Sequence, residues 1–210
     1  VIDLQEMIVA LIVLAGAAVL QFFRGRNLNL QLLQFYMSES VNTLKPKDRN
    51  FVWLGGYIGC RAEFDMEDYR LEYTITMLPR HSLLYFPISL LTSRHDKLYL
   101  VFRLKRVQGE AHLIRKGYYR LRPKIENEIA LRKERVMVGR YEYEALYDRK
   151  ESLELLLKLI NGFSRPDNIK HLSLTPSTKV LYVLMKPEVE TFRKDLEYIN
   201  NFVRENETRF

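Results

Sequence analysis

The chain has 210 residues and a formal net charge of +7, a length that suits one domain, or one domain with an anchor. Hydrophobic residues make up 47% of it and aromatics 12%, which supports a packed core and excludes disorder throughout. The single cysteine, Cys60, excludes an internal disulfide and a thiolate-cluster zinc site, and it fits a reducing compartment.

Charge is unevenly spread. Asp3 and Glu6 are the only charged residues before Arg24, which leaves +9 on the remainder. Val1 stands where a methionine would begin a native chain, so the protein is expected to extend further upstream.

Residues 6–23 are expected to form a transmembrane helix, with 1–5 as a lumenal stub. From Met7 to Phe23 there is no charge, one amide (Gln21), and ten residues are Ile, Val, Leu or Phe. At roughly −0.3 to −0.6 kcal/mol each, those ten favour the bilayer by about 3–6 kcal/mol. The span reaches about 25 Å, short for an average bilayer but close to the roughly 27 Å of an endoplasmic reticulum membrane. A cleaved signal would carry bases ahead of the apolar run, and here acids precede it. A buried core helix would show a polar stripe, and none is visible. Arg24 and Arg26 follow at once, then Lys45, Lys47 and Arg49; this excess places the C-terminal side in the cytosol.

Leu30, Leu33, Met37, Val41 and Leu44 recur at helical spacing, so 27–44 reads as an amphipathic helix that Pro46 ends. Runs 51–64, 69–78 and 97–106 are rich in β-branched and aromatic residues and read as strands. Between two of them lies HSLLYFPISLL, residues 81–91. Two readings stay open for it: a short buried helix, or a surface that meets lipid or a partner through Leu83, Leu84, Tyr85, Phe86, Ile88, Leu90 and Leu91. Residues 136–147 read as extended. Asp148 offers an N-cap, with Glu151 at capping-box spacing, to a helix that stops at Asn161-Gly162. Segments 169–174 and 178–185 read as a strand pair. Pro187 opens a last helix with Glu188 and Glu190 in its first turn and Val189, Phe192, Leu196, Ile199 and Val203 as its apolar stripe. The fold class is α+β: one N-terminal transmembrane helix, then a mixed helix and antiparallel-sheet cytosolic domain over 24–210.

Motifs for chemistry are sparse. His81, His95, His112 and His171 are scattered. His95-Asp96 is the one adjacent His–carboxylate pair, and neighbours on a strand diverge. The glycine-rich Leu54–Gly59 lacks a following Lys-Ser/Thr and reads as a bent strand or bulge. No GxSxG occurs. No catalytic, metal or cofactor residues are assigned, and the chain is read as non-enzymatic.

Charge remains. From 94 to 124 there are ten bases: Arg94, Lys97, Arg103, Lys105, Arg106, Arg115, Lys116, Arg120, Arg122 and Lys124. Only Asp96 and Glu110 oppose them, with Tyr118 and Tyr119 interleaved. This stretch is the candidate contact for ribosomal RNA or anionic lipid headgroups.

The order of features resembles the calumin family, also called coiled-coil domain-containing protein 47. The likeness begins with an apolar span followed by FFRGRNLNLQLLQFYM, where a small-residue basic turn precedes an amphipathic helix; Gly25, Arg26, Asn29, Leu32, Gln34 and Tyr36 carry it. It continues through FVWLGGYIGCRAEF, the strand before Pro79, the Arg80-His81-Ser82-Leu83-Leu84 helix opening, and LYLVFRL. IKHLSLTP, TKVLYVLMKP and an acidic-start amphipathic helix follow in the family's order. The resemblance covers most of 6–204 and implies an endoplasmic reticulum membrane protein without enzymatic activity. With Asterix, a small multi-spanning partner, such a protein forms an intramembrane chaperone complex. That complex joins the Sec translocon and ribosome while nascent multi-pass membrane proteins are inserted and folded. Asp3 and Glu6 alone represent the family's acidic lumenal region, and the sequence stops at Phe210 before its basic coiled coil. Calcium binding and ribosome contact through that coil are therefore not carried over. Two alternatives accompany this reading: a membrane-tethered module that binds anionic headgroups, and a membrane-bound enzyme with a site assembled from distant residues.

Overall fold

A computed structural model describes residues 3–121, 123–126, 128–207 and 210. Its first element is one unbroken helix, α1 (Leu4–Leu44). The expected turn between an apolar helix and an amphipathic one is absent. Gly25 and Asn29 are poor helix formers in isolation, at up to about 1 kcal/mol for glycine against alanine. Here both are buried contact residues, and tertiary packing outweighs propensity. Gly25, Asn29, Leu33, Tyr36, Ser40 and Leu44 make one buried stripe at spacings of three and four, which is a single helix face. The helix ends where Lys45 turns left-handed (φ 48°) and donates its N–H to the Val41 carbonyl, just before Pro46.

Among the described residues nine strands follow: β1 (Asp48–Leu54), β2 (Gly59–Asp65), β3 (Arg70–Thr76), β4 (Lys97–Arg103), β5 (Ala111–Arg115), β6 (Arg132–Val138), β7 (Tyr141–Tyr147), β8 (Ile169–Thr175) and β9 (Val180–Met185). They form one antiparallel sheet in the order β1-β2-β3-β4-β9-β8-β5-β7-β6. The remaining helices are α2 (Tyr85–Thr92), α3 (Lys150–Asn161) and α4 (Phe192–Glu205). The fold is thus mixed α+β.

Several expected elements are subdivided. Run 51–64 is a hairpin rather than a bent strand: Leu54 pairs with Gly59, and Gly55 and Gly56 turn between them at φ 61° and 75°, a region that favours glycine. Run 136–147 is likewise the β6–β7 hairpin, turning at Gly139-Arg140 with Gly139 at φ 56°. β5 lies inside the stretch noted only for charge. Asp148 is not an N-cap. Its N–H bonds the Glu110 carbonyl at 3.0 Å, which holds it to the sheet, and Arg149 takes the cap position without a side-chain bond. Pro187 does not open α4; Glu188 and Glu190 precede it, and Val189 is exposed while Phe192, Leu196, Ile199 and Val203 are buried.

One face of the sheet carries the core. Cross-strand rows such as Ala62–Tyr73–Leu100–Val183–Leu172–Leu113–Ala145 lie on it and are buried. α1, α3 and α4 cover this face. Tyr36 and Phe192 join α1 to α4 with ring centroids 4.7 Å apart. On the other face Tyr118 stacks on His95 and the Tyr119 hydroxyl lies 3.0 Å from His171 Nδ1.

The sheet has two distinct ends. Asn29 bonds the loops after β3 and between β1 and β2, whereas Lys47, beyond the helix, bonds Asp65 at the opposite end of β2. α1 therefore runs along the strands. The end where it arrives, with Thr76, Lys97, Arg115, Tyr141, Ile169 and Met185, is the near end; Arg103, Ala111 and Thr175 mark the far end.

Candidate functional site: the junction of α1 with the sheet

Among the described residues one helix, α1, is long and apolar enough to cross a membrane, and none of its most apolar 18-residue window is buried against the domain. A core helix would be covered. Its second half, in contrast, is built into the core, so the apolar segment is a rigid extension of the folded domain.

The junction is made of close backbone approach and a satisfied polar network. A Cβ on Gly25 would lie 2.1 Å from the Arg80 carbonyl oxygen, so only glycine lets α1 meet the loop after β3. One turn on, Asn29 is fully buried. Its Nδ2 donates to Leu78 O (2.9 Å) and Tyr57 O (3.1 Å), and its Oδ1 accepts from Arg80 Nη1 at 2.9 Å. Arg80 also forks onto Asp96, with Nη1 and Nη2 at 2.9 and 2.7 Å from the two carboxylate oxygens. Asp96 Oδ1 accepts the Leu78 N–H as well. This bidentate, charge-assisted arrangement is the strong kind. It also answers the His95-Asp96 question: the carboxylate serves Arg80, and His95 Nδ1 meets the Asp96 backbone oxygen. Gln21, the one amide of the apolar segment, donates to the Arg80 carbonyl at 2.6 Å.

α2 leans on the apolar segment. An apolar groove of about 800 Å³ is lined by Leu14, Ala18 and Phe22 of α1, by Leu84, and by Tyr85 and Ile88 of α2. Of the seven apolar residues noted between 83 and 91, Leu83, Leu84, Tyr85 and Ile88 line this groove, and Phe86, Leu90 and Leu91 do not. Leu84, Tyr85, Ile88, Leu90 and Leu91 are exposed, and Leu83 and Phe86 are half-buried. The buried-helix reading of this segment is overturned. The core is already closed by α1, α3 and α4, and in α2 only Ser89 is buried.

The ten bases between 94 and 124 do not form one surface. Lys97 and Arg103 sit at opposite ends of β4, about 20 Å apart at 3.4 Å per residue. Arg94, Lys97, Arg115 and Lys116 lie toward the near end, and Arg103, Lys105 and Arg106 at the far end. Arg120 and Lys124 are exposed in the segment after β5, and Arg122 is outside the described residues. Several have acidic partners: Arg103 with Glu72, Lys105 with Glu207 and Asp68, Lys116 with Glu142.

Sequence reading missed a second group at the near end. Arg115, Arg140, Arg165, Lys170 and Lys186 line one cleft of about 620 Å³. They come from β5, the β6–β7 turn, the loop before β8, β8 itself, and the residue after β9. The linear signal is Lys170, which with His171 breaks the apolar–polar alternation between Ile169 and Leu172. Of the histidines outside the junction, His112 meets Glu110 through Nε2 at 3.0 Å and tilts against His171, and His171 meets Tyr182 and Tyr119 edge-on. Burial raises the Tyr119 hydroxyl to about 12 and the Tyr182 hydroxyl beyond it. Neither a family model nor a curated protein sequence matches the chain.

Proposed function

We propose that the chain is a non-enzymatic, single-pass membrane protein of the endoplasmic reticulum, of the calumin type. In this reading it belongs to an intramembrane chaperone complex that assists multi-pass proteins beside the Sec translocon and ribosome. The observation that carries the reading is the groove between α1 and α2. Leu14 to Phe22 would lie at bilayer depth, so α2 would flank them within the cytosolic leaflet. There the groove offers an apolar wall, backed by a rigid domain, to a neighbouring transmembrane segment. That segment belongs to an Asterix-like partner or to a client. Without a hydrophobic drive between helices in lipid, such association rests on packing, and a preformed groove supplies it. The far end, with Lys105 and Arg106, would face the cytosol and the ribosome.

Photo-crosslinking from Ala18 and Ile88 in native membranes, with mass spectrometry of the adducts, tests this reading. Adducts to a small multi-spanning protein or to nascent multi-pass chains, together with translocon subunits in mild-detergent pull-downs, are expected. Adducts to lipid alone from both positions would sink it.

A further inference from the structure

The near-end cleft holds a cation that its surroundings do not neutralise. Lys170 is the extra residue of a β-bulge: Ile169 pairs with Met185 and His171 with Leu184, so Lys170 drops out of the ladder. Bulges re-aim side chains and concentrate beside functional sites. Only 4% of Lys170 is exposed, and its ammonium donates to a neutral acceptor, the Asp167 carbonyl, at 2.7 Å. Among the described residues no carboxylate lies in ion-pair contact with it. Arg115 reaches the same carbonyl, more loosely at 3.4 Å, and stacks on Tyr141 with Cζ 3.2 Å from the ring centre.

The two acids present are engaged by other bases. Asp167 takes Arg140 at 2.6 Å, which Gly139 permits because a Cβ there would sit 2.4 Å from Asp167 Oδ1. Glu188 takes Lys186 at 3.0 Å and Arg165. Two carboxylates line the cleft with five cations, and Glu190 beside it pairs with Arg165 at 3.2 Å, which leaves +2 around one cleft. Asn168, also lining it and buried, faces Glu188 loosely and keeps its Nδ2 without a hydrogen bond of full geometry. A buried, unpaired charge is costly. A surplus of convergent donors is what an incoming oxyanion would satisfy.

We propose that this cleft binds a phosphate monoester, with Lys170 and Lys186 as the central contacts and Arg115 and Arg140 at its rim. Its source is the headgroup of an anionic phospholipid. The near end is the end at which the apolar segment of α1 arrives. Lys186 follows β9 and Lys170 lies on β8, two and three inter-strand steps from β3, so the centre of the cleft stands about 10–14 Å along that edge from the loop that α1 meets. It would therefore face the bilayer as a second foothold. The headgroup source rests on the membrane reading of α1; the phosphate site does not.

The full chain in detergent micelles, titrated and followed by native mass spectrometry, tests this. Dioctanoyl phosphatidic acid is expected to bind at least about tenfold more tightly than dioctanoyl phosphatidylcholine. Lys170→Gln and Lys186→Gln should each remove most of that preference, while Lys105→Gln at the far end keeps it. Lys186 is only partly buried, so its variant remains decisive should Lys170→Gln unfold. Inositol trisphosphate supplies the soluble arm. Competition by it at the lipid's own affinity upholds the phosphate site and assigns a soluble source, whereas failure to compete assigns the headgroup. Equal binding of both lipids, an unchanged preference in both variants, or capture of single-stranded RNA in place of phosphate ligands would overturn the proposal.

Discussion

Asn29→Ala is the substitution that most directly probes how α1 is fixed to the domain. It removes three hydrogen bonds at 2.9, 3.1 and 2.9 Å from a fully buried position. The losses are unequal. Leu78 O keeps the Arg80 N–H at 2.8 Å, and Arg80 keeps its fork onto Asp96, so the Tyr57 carbonyl is the group left short. One stranded buried acceptor costs about 1–3 kcal/mol and each lost bond about 0.5–1.5. With partial compensation, a total of about 2–3 kcal/mol is expected. For a domain of this size that lowers the melting temperature by roughly 4–12 °C. The assay is thermal unfolding of the full chain in phosphatidylcholine nanodiscs, followed by near-ultraviolet circular dichroism. Asn50→Ala, at an exposed site on β1, is the control and should stay within about 0.5 kcal/mol. A melt of Asn29→Ala within about 1 °C of wild type would show that apolar packing of Leu33 and Tyr36 holds α1 without this clamp, and the reasoning would fail.

Three further perturbations follow from the same geometry. Gly25→Val places a Cβ 2.1 Å from the Arg80 carbonyl oxygen, so α1 must shift off the loop; the cost should exceed that of Asn29→Ala in the same melts, and a smaller one would mean that the loop yields freely. In a Trp53→Phe background, Leu91→Trp should be strongly quenched by brominated phosphatidylcholine if α2 lies in the leaflet, and quenching no greater than for a tryptophan at exposed Arg149 would remove α2 from the bilayer. The Lys170 ammonium is held down to about 8 by burial first, then by Arg115 and Lys186, against the opposing pull of Asp167 and Glu188, with His95 nearby. Its folded value lies below its unfolded one, so the charged form destabilises the fold below about pH 8 and that penalty fades as pH rises toward the unfolded value. Lys170→Met should therefore flatten the gain in stability between about pH 8 and 10, and an unchanged profile would mean that the ammonium is solvated.

Strands that alternate cleanly were legible from sequence. Leu71, Tyr73 and Ile75 announce β3, and the 169–174 and 178–185 pair is found almost to the residue. Hairpins were not, where aromatic and β-branched residues run up to a glycine turn on both sides, as at Gly55-Gly56 and Gly139-Arg140. Such a turn looks like a kink in one long strand until pairing is known. Gly25 and Asn29 misled for the opposite reason. Their low propensity suggests a break, yet burial against Arg80, Leu78 and Tyr57 turns them into the residues that keep the helix continuous.

Charge was the least legible feature, and the reason is topological. In an antiparallel sheet one strand carries its two termini to opposite ends, so Lys97 and Arg103 are separated by being close in sequence. Arg115, Lys170 and Lys186 are distant in sequence and converge because β5, β8 and β9 each place one terminus at the near end. A run of bases through β4 and β5, which two other strands separate, therefore overstates a surface, while a site at a strand-end edge leaves only isolated traces. Lys170 is such a trace. A buried lysine on a strand must be paired, stranded or re-aimed, and a bulge re-aims this one toward other cations. That combination opposes folding stability, and ligand binding is the physical gain that would offset it.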